Sequence, residues 1–123
     1  MQKILVIEDE ESIRTNILEL LEAEGFSGIS AENGSIGLQL AQEQRPDLII
    51  CDVMMPELDG YTVLAILRQD PATAMIPFVF LTARSDAADL RKGMELGAND
   101  YLTKPCTPTE LLQAISTQLK KVK

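Results

Sequence analysis

The sequence predicts an α/β protein: a doubly wound (βα)5 domain with a five-stranded parallel sheet and helices on both faces. Three observations predict this fold. Short apolar runs alternate with stretches of helical periodicity along the whole chain. The strongest runs contain no polar residue, which is typical of strands buried on both faces of a parallel sheet. The chain has 123 residues, so we expect one domain spanning residues 1–123.

Two strands and two helices are predicted in the first half of the chain. Residues 4–7 form an apolar, β-branched run that predicts the first strand. Apolar residues at helical spacing follow, and Gly25 predicts the end of this helix. Residues 28–31 predict a short, weak strand, and Asn33 opens a second helix that ends before Pro46.

The second half continues the same alternation. Residues 48–51 form a strongly apolar strand, and a helix is predicted at about residues 61–68. Residues 78–81 predict another buried strand, followed by a helix from about residue 86 to residue 96. Residues 101–102 predict a short final strand.

The last helix has the clearest start signal in the chain. Residues Thr107 to Glu110 fit a capping box, with Pro108 at the first helical position. Leu111 and Ile115 then belong to an apolar face at helical spacing.

Strand strength predicts the order of the sheet. Parallel strands joined by right-handed crossovers allow few arrangements. The first, third and fourth strands are strongly apolar and are expected at the centre, whereas the weak second and fifth strands are expected at the edges. This pattern matches the order 2-1-3-4-5 of doubly wound α/β folds.

Composition excludes several classes of function. The formal net charge is −8, which disfavours direct nucleic-acid binding. The chain has no histidine, which excludes Ser-His-Asp and Cys-His centres, His-ligated metals and a role as phosphohistidine donor. No apolar run approaches the roughly 18 residues of a membrane span, and the first residues lack signal-peptide organisation. We therefore expect a cytoplasmic protein in which Cys51 and Cys106 form no disulfide.

Polar residues follow the predicted strands where the strand order switches, which is where open α/β sheets bind ligands. Each one alone has an ordinary structural explanation, such as a helix cap, a turn or a solvated surface charge. Their joint placement at one edge indicates a site. The residues are Glu8, Asp9, Asp52, Thr82 and Lys104.

The residue types in this set indicate phosphoryl chemistry assisted by a cation. Carboxylates brought together repel one another, and Mg²⁺ is the simplest partner because it takes carboxylate and phosphate oxygens. Asp52 is then the candidate nucleophile toward phosphorus. Lys104 and the cation would neutralise the phosphoryl oxygens, and the Thr82 hydroxyl would donate to one of them.

Four segments carry a specific pattern: residues 4–10, residues 52–56 with Asp59 and Gly60, residues 81–84 and residues 97–105. With these segments the chain resembles a response-regulator receiver domain of two-component signalling along its full length. The resemblance implies a flavodoxin-like fold and a signalling module that is not an enzyme beyond its own phosphorylation and dephosphorylation.

The resemblance also implies a phosphoacceptor and a metal site. Asp52 would receive a phosphoryl group from a phosphohistidine on a partner sensor histidine kinase or histidine phosphotransfer protein. Glu8 and Asp9 would form the acidic pair that holds Mg²⁺, with Asp52 and the Met54 carbonyl as further ligands.

The remaining implied roles concern switching. Thr82 would move toward the phosphoryl group, and Tyr101 would turn inward. Lys104-Pro105 would carry a cis peptide bond that places the lysine. The output surface would comprise the fourth helix, fifth strand and fifth helix and would act on a downstream protein or effector domain. The sequence fits a stand-alone regulator or an excised receiver.

Three alternative functions share parts of this pattern. A phosphatase with an aspartate nucleophile would need a second acid at the position of Met54. A flavin-binding protein of the same topology would need a Gly, Ser or Thr-rich phosphate loop where the chain has Glu8 to Glu11. A degenerate receiver that binds proteins independently of phosphorylation is the remaining alternative.

Overall fold

A computed structural model describes residues 1–83 and 87–121. Its strands are β1 (Lys3–Ile7), β2 (Ser27–Ala31), β3 (Leu48–Cys51), β4 (Phe78–Thr82) and β5 (Asp100–Thr103). Its helices are α1 (Glu11–Ala23), α2 (Gly34–Gln44), α3 (Gly60–Gln69), α4 (Ala87–Glu95) and α5 (Pro108–Lys121). Strand and helix alternate throughout, as predicted. Arg84 in the third motif and Asp86, the predicted start of the fourth helix, lie outside the described residues.

The sheet is parallel and has the order β2-β1-β3-β4-β5, which confirms the predicted topology. β1, β3 and β4 are buried along nearly their whole length, whereas β2 and β5 are partly exposed. Apolar side chains on both faces of a strand require cover on both faces, so these three strands take the centre. The switch in strand order therefore lies between β1 and β3.

Side chains alternate between the two faces of a sheet, so successive residues of the central strands belong to two separate hydrophobic cores. Leu5, Ile7 and Phe80 belong to the cluster that includes residues of α2 and α3. Ile4 and Val6 belong to the cluster on the opposite face, which includes residues of α1 and α5. The sheet is thus held between two layers of helices.

Side-chain caps fix where three of the helices begin. The Asn33 side chain accepts a hydrogen bond from the Ile36 amide at 2.8 Å, at the start of α2. Before α5, the Glu110 amide donates to Thr107 Oγ1 at 3.1 Å, and the Thr107 amide donates to Glu110 Oε1 at 2.9 Å. This reciprocal pair is the predicted capping box. Asp59 caps α3 in the same way as Asn33 caps α2.

The predicted bounds differ from the observed ones mainly at element ends. β4 includes Thr82, one residue beyond the apolar run at residues 78–81, so Thr82 ends this strand. β5 extends one residue further at each end than the predicted residues 101–102. Within residues 1–83 and 87–121, none of the helices combines the length and apolarity needed to cross a bilayer.

Candidate functional site

Three carboxylates meet at the carboxyl edge of the sheet, at the switch between β1 and β3. Ile7 and Cys51 are partners in the β1–β3 pairing, so the residues that follow them leave the sheet side by side. One oxygen from each of Glu8, Asp9 and Asp52 lies within 4.8 Å of the other two. Glu8 is 2% exposed and Asp52 6% exposed, whereas Asp9 is open to solvent. A ligand can therefore reach the cluster from the Asp9 side.

Lys104 bridges two of these carboxylates. Its Nζ lies 2.6 Å from Glu8 Oε1 and 3.2 Å from Asp52 Oδ2. Burial alone would lower the pKa of Lys104, but the hydrogen bond to Glu8 and the two negative charges outweigh it and raise this pKa. The ammonium therefore stays charged and neutralises part of the cluster.

Backbone contacts hold Lys104 in a position from which its side chain reaches the carboxylate cluster. Thr82 and Thr103 are partners in the β4–β5 pairing. The Lys104 amide continues this ladder by donating to the Thr82 carbonyl at 2.6 Å. The Lys104–Pro105 peptide bond is cis, as the resemblance implies. Lys104 is thus held beside the end of β4 while its side chain extends toward β1 and β3.

Local hydrogen bonds hold Glu8 in place. Its second carboxylate oxygen, Oε2, accepts from the Glu10 amide at 3.1 Å. Its backbone carbonyl accepts from the Arg14 guanidinium at 2.7 Å. Sequence reasoning missed Arg14 because nothing in its helical position distinguishes it from an exposed arginine on α1.

The segment after Asp52 packs closely against the start of α3. The Asp52 amide donates to the Ile7 carbonyl at 3.0 Å, and the Gly60 amide donates to the Val53 carbonyl at 2.9 Å. The Met54 amide lies 3.3 Å from Asp52 Oδ1 and donates to it, while the Met54 side chain is largely exposed. Gly60 permits this close approach because it has no side chain.

Thr82 and Tyr101 occupy positions from which the predicted switching could proceed. Thr82 is fully buried at the end of β4. The Tyr101 ring is partly buried and packs edge-on against Phe80, with ring centroids 5.9 Å apart. The inward movement of Tyr101 and the movement of Thr82 stay predictions.

The donor set fits a hard divalent cation. Three carboxylates face the Lys104 ammonium, so the cluster keeps an excess of negative charge. Partial burial raises the pKa of Asp9, and the neighbouring Glu8 carboxylate raises it further. Oxygen ligands of this kind, with one open side for water, suit Mg²⁺ better than softer metals.

Comparisons with known proteins agree with this geometry. Residues 4–116 match the family model described as response regulator receiver domain. The chain is 43% identical over 120 residues to the alkaline phosphatase synthesis transcriptional regulatory protein PhoP of Bacillus subtilis (strain 168), covering 98% of this chain and 49% of the relative. It is 38% identical over 121 residues to the phosphate regulon transcriptional regulatory protein PhoB of Klebsiella pneumoniae, covering 98% and 53%.

Solved structures share the fold over nearly the whole chain. The receiver domain of the Francisella response regulator 1452 superposes with a TM-score of 0.93 at 32% identity, covering 100% of both chains. The chemotaxis protein CheY4 of Vibrio cholerae gives a TM-score of 0.91 at 31% identity, covering 95% of this chain and 98% of the other.

The parallel sheet, with its acidic pocket and bridging lysine at the carboxyl edge, defines a signalling module and not a conventional enzyme. The chain belongs to the response-regulator receiver-domain family. Receiver domains of this family partner with histidine kinases. The chain spans about half the length of the curated relatives it matches.

Proposed function

We propose that this chain is a phosphoacceptor: in the presence of Mg²⁺, Asp52 receives a phosphoryl group from a phosphohistidine on a partner protein, and the modified domain switches its output surface. One observation carries the proposal. The Asp52 carboxylate is shared between the Lys104 ammonium, 3.2 Å away, and an acidic cluster suited to a divalent cation. A nucleophile, a fixed positive charge and a cation site thus adjoin one another.

The transfer follows from the placement of these groups. Asp52 Oδ attacks phosphorus, the bond between phosphorus and the histidine nitrogen breaks, and that nitrogen leaves with the electron pair. Lys104 offsets the charge of the phosphoryl oxygens, and the Thr82 hydroxyl donates to one of them. Mg²⁺, held by Glu8, Asp9, Asp52 and the Met54 carbonyl, would supply further positive charge at those oxygens.

The phosphohistidine has to come from another protein, since this chain contains no histidine. A sensor histidine kinase or a histidine phosphotransfer protein is therefore the proposed donor. We propose the cytoplasm as the compartment, where the free thiols of Cys51 and Cys106 would stay reduced.

The output surface is proposed to comprise α4, β5 and α5. Tyr101 lies on β5 and contacts the Phe80 ring of β4, so a change at the end of β4 can reach this surface. The recipient would be an effector domain or a separate downstream protein. Direct contact of this part of the chain with nucleic acid is not proposed, because the net charge is −8.

Phosphorylation with a small phosphodonor tests the assignment directly. With phosphoramidate and Mg²⁺, intact-mass measurement should show one added phosphoryl group per chain, and Asp52→Asn should show none. Asp70→Asn is a matched control: Asp70 is partly exposed and caps a turn through its Oδ1, which asparagine can reproduce. Chelation of Mg²⁺ should suppress labelling in both the wild type and the control.

Full labelling of Asp52→Asn would refute the assignment of the phosphoacceptor. Absence of labelling in the wild type, together with unchanged binding of an output partner, would instead favour the degenerate receiver. Repeated turnover of a phosphate ester would instead support the alternative function, a phosphatase with an aspartate nucleophile.

A further inference from the structure

Asp9 is the carboxylate of the acidic cluster that burial does not hold in place. Glu8 and Asp52 are almost completely buried, whereas Asp9 is exposed. The position of Asp9 therefore depends on the backbone that carries it. This short segment connects Ile7, the last residue of β1, with Glu11, the first residue of α1.

Both peptide groups that flank Asp9 are held by side chains. The carbonyl of the Glu8–Asp9 peptide group accepts a hydrogen bond from Arg14 Nη1 at 2.7 Å. The amide of the Asp9–Glu10 peptide group donates to Glu8 Oε2 at 3.1 Å. Because peptide groups are planar, fixing the two that flank a residue fixes its φ and ψ angles. The two hydrogen bonds thus set the direction in which the Asp9 side chain leaves the backbone.

The first of these contacts comes from a side chain and not from the sheet. The Glu8 amide continues the ladder by donating to the Ala31 carbonyl at 3.1 Å, but the Glu8 carbonyl accepts from the Arg14 guanidinium in the first turn of α1. Glu8 is 2% exposed, so its carbonyl has little access to water. A buried carbonyl that loses its donor is costly, so without this guanidinium the backbone should rearrange and move Asp9 with it.

We propose that Arg14 is a positioning residue of the cation site: its hydrogen bond to the Glu8 carbonyl holds Asp9 in the geometry that a divalent cation requires. Arg14 acts on the cation through the backbone and not by contact. The inference rests on the proposed function for the cation itself, but it concerns how the ligands are placed. Two effects of Arg14 then have opposite signs. By charge alone, removal of a nearby arginine would tighten cation binding, whereas loss of a positioning contact weakens it.

The affinity for Mn²⁺, a paramagnetic probe of Mg²⁺ sites, tests this sign. It is measured from the electron paramagnetic resonance signal of the free ion, without any phosphodonor. Arg14→Met should weaken binding about tenfold or more, as is typical when a partner that orients a metal ligand is removed. Arg14→Lys, which keeps the charge and a donor, should bind more tightly than Arg14→Met. Arg91→Met removes the same charge from an exposed position on α4 and should change the affinity by no more than about twofold.

A second variant of α1 separates positioning from a general loss of stability. Ile17→Val removes a methyl group from the buried face of the same helix and changes no donor to the Glu8 carbonyl. It should lower stability but leave the affinity for Mn²⁺ unchanged. Hydrogen exchange in EDTA gives a readout that needs no metal. The Glu10 amide should exchange about fivefold faster in Arg14→Met than in the wild type, and normally in Ile17→Val.

The outcomes distinguish this inference from the proposed function. If the wild type binds Mn²⁺ and Arg14→Met binds it equally or more tightly, only the inference fails. It also fails if Ile17→Val weakens binding as much as Arg14→Met, or if the Glu10 amide exchanges normally in Arg14→Met. If the wild type binds no Mn²⁺, the cation part of the proposed function fails and the inference fails with it.

Discussion

At the level of single residues, the position of Asp52 depends on Gly60. A Cβ atom at residue 60 would lie 2.3 Å from the Asp52 carbonyl oxygen and 3.0 Å from the Phe80 ring. Neither neighbour can yield easily, because one is backbone and the other is a fully buried aromatic. The start of α3 can thus approach the phosphoacceptor segment only when residue 60 lacks a side chain.

Gly60→Ala should therefore disturb both stability and the site. Overpacking of this kind typically costs about 1–3 kcal/mol, and the shift of the Asp52 backbone should slow labelling by phosphoramidate. Denaturant unfolding and intact-mass kinetics measure the two effects. Gly28→Ala is the matched control, since its new Cβ would meet only the end of the flexible Leu18 side chain, on edge strand β2. Equal losses of stability in the two variants, with normal labelling in both, would contradict this account.

The sequence predicted which residues form the pocket but not how they pair. Glu8, Asp52 and Lys104 follow β1, β3 and β5, whose carboxyl ends lie at the same edge of the parallel sheet, so the topology predicts that they share this edge. The preference of Lys104 for Glu8 over Asp52 depends on a difference of a few tenths of an ångström between side-chain atoms. The periodicity of a sequence contains no information on that scale.

At the level of elements, the strands were predictable because a strand that is buried on both faces needs apolar residues along its whole length. Residues 48–51 are entirely apolar and form a strand that is entirely buried. Links between distant elements were not predictable. Arg68, on α3, donates to the carbonyls of Ile76 and Gly97 and to Asn99 Oδ1, and thereby connects α3 with the segments before β4 and β5. Gly97 and Asn99 lie 29 and 31 residues from Arg68 in sequence. The acceptors at Ile76 and Gly97 are backbone groups, which any residue supplies.

The capping box of α5 gives a pH-dependent prediction at this level. Hydrogen bonds from the Thr107 backbone and side chain lower the pKa of Glu110 from its ordinary value of 4.5. A lowered pKa in the folded state means that the charged carboxylate stabilises the fold above pH 4.5 and that this contribution disappears as the pH falls through the lowered value. Glu110→Gln should therefore melt below the wild type at neutral pH, and the difference should close under more acidic conditions.

Thermal melts at a series of pH values test this sign. Glu43→Gln on α2 is a suitable control, because Glu43 is exposed and its side chain accepts a hydrogen bond from Gln39 on the same helix. A gap between wild type and Glu110→Gln that stays constant from neutral to acidic pH would show that the charge of Glu110 does not contribute to the cap.

At the level of the whole molecule, the fold concentrates negative charge where its ligand is proposed to bind. The chain carries a net charge of −8, and three of its carboxylates converge at one edge of the sheet, where Lys104 bridges two of them. Folding creates this cluster, since the residues come from separate parts of the chain. Repulsion within the cluster therefore opposes folding until a cation binds.

Because charge repulsion within the cluster opposes folding, we expect Mg²⁺ to reverse the effect of Asp9→Asn on stability. Without metal, Asp9→Asn should be more stable than the wild type, because it removes one of three mutually repelling charges. At a Mg²⁺ concentration of 100 times the dissociation constant, the wild type should gain about 2.7 kcal/mol by linkage, whereas Asp9→Asn, having lost a ligand, should gain much less. The order of stability should then invert. Unfolding in EDTA, in Mg²⁺ and in NaCl of matched ionic strength distinguishes specific binding from screening, and an equal gain for both proteins in Mg²⁺ would exclude Asp9 as a ligand.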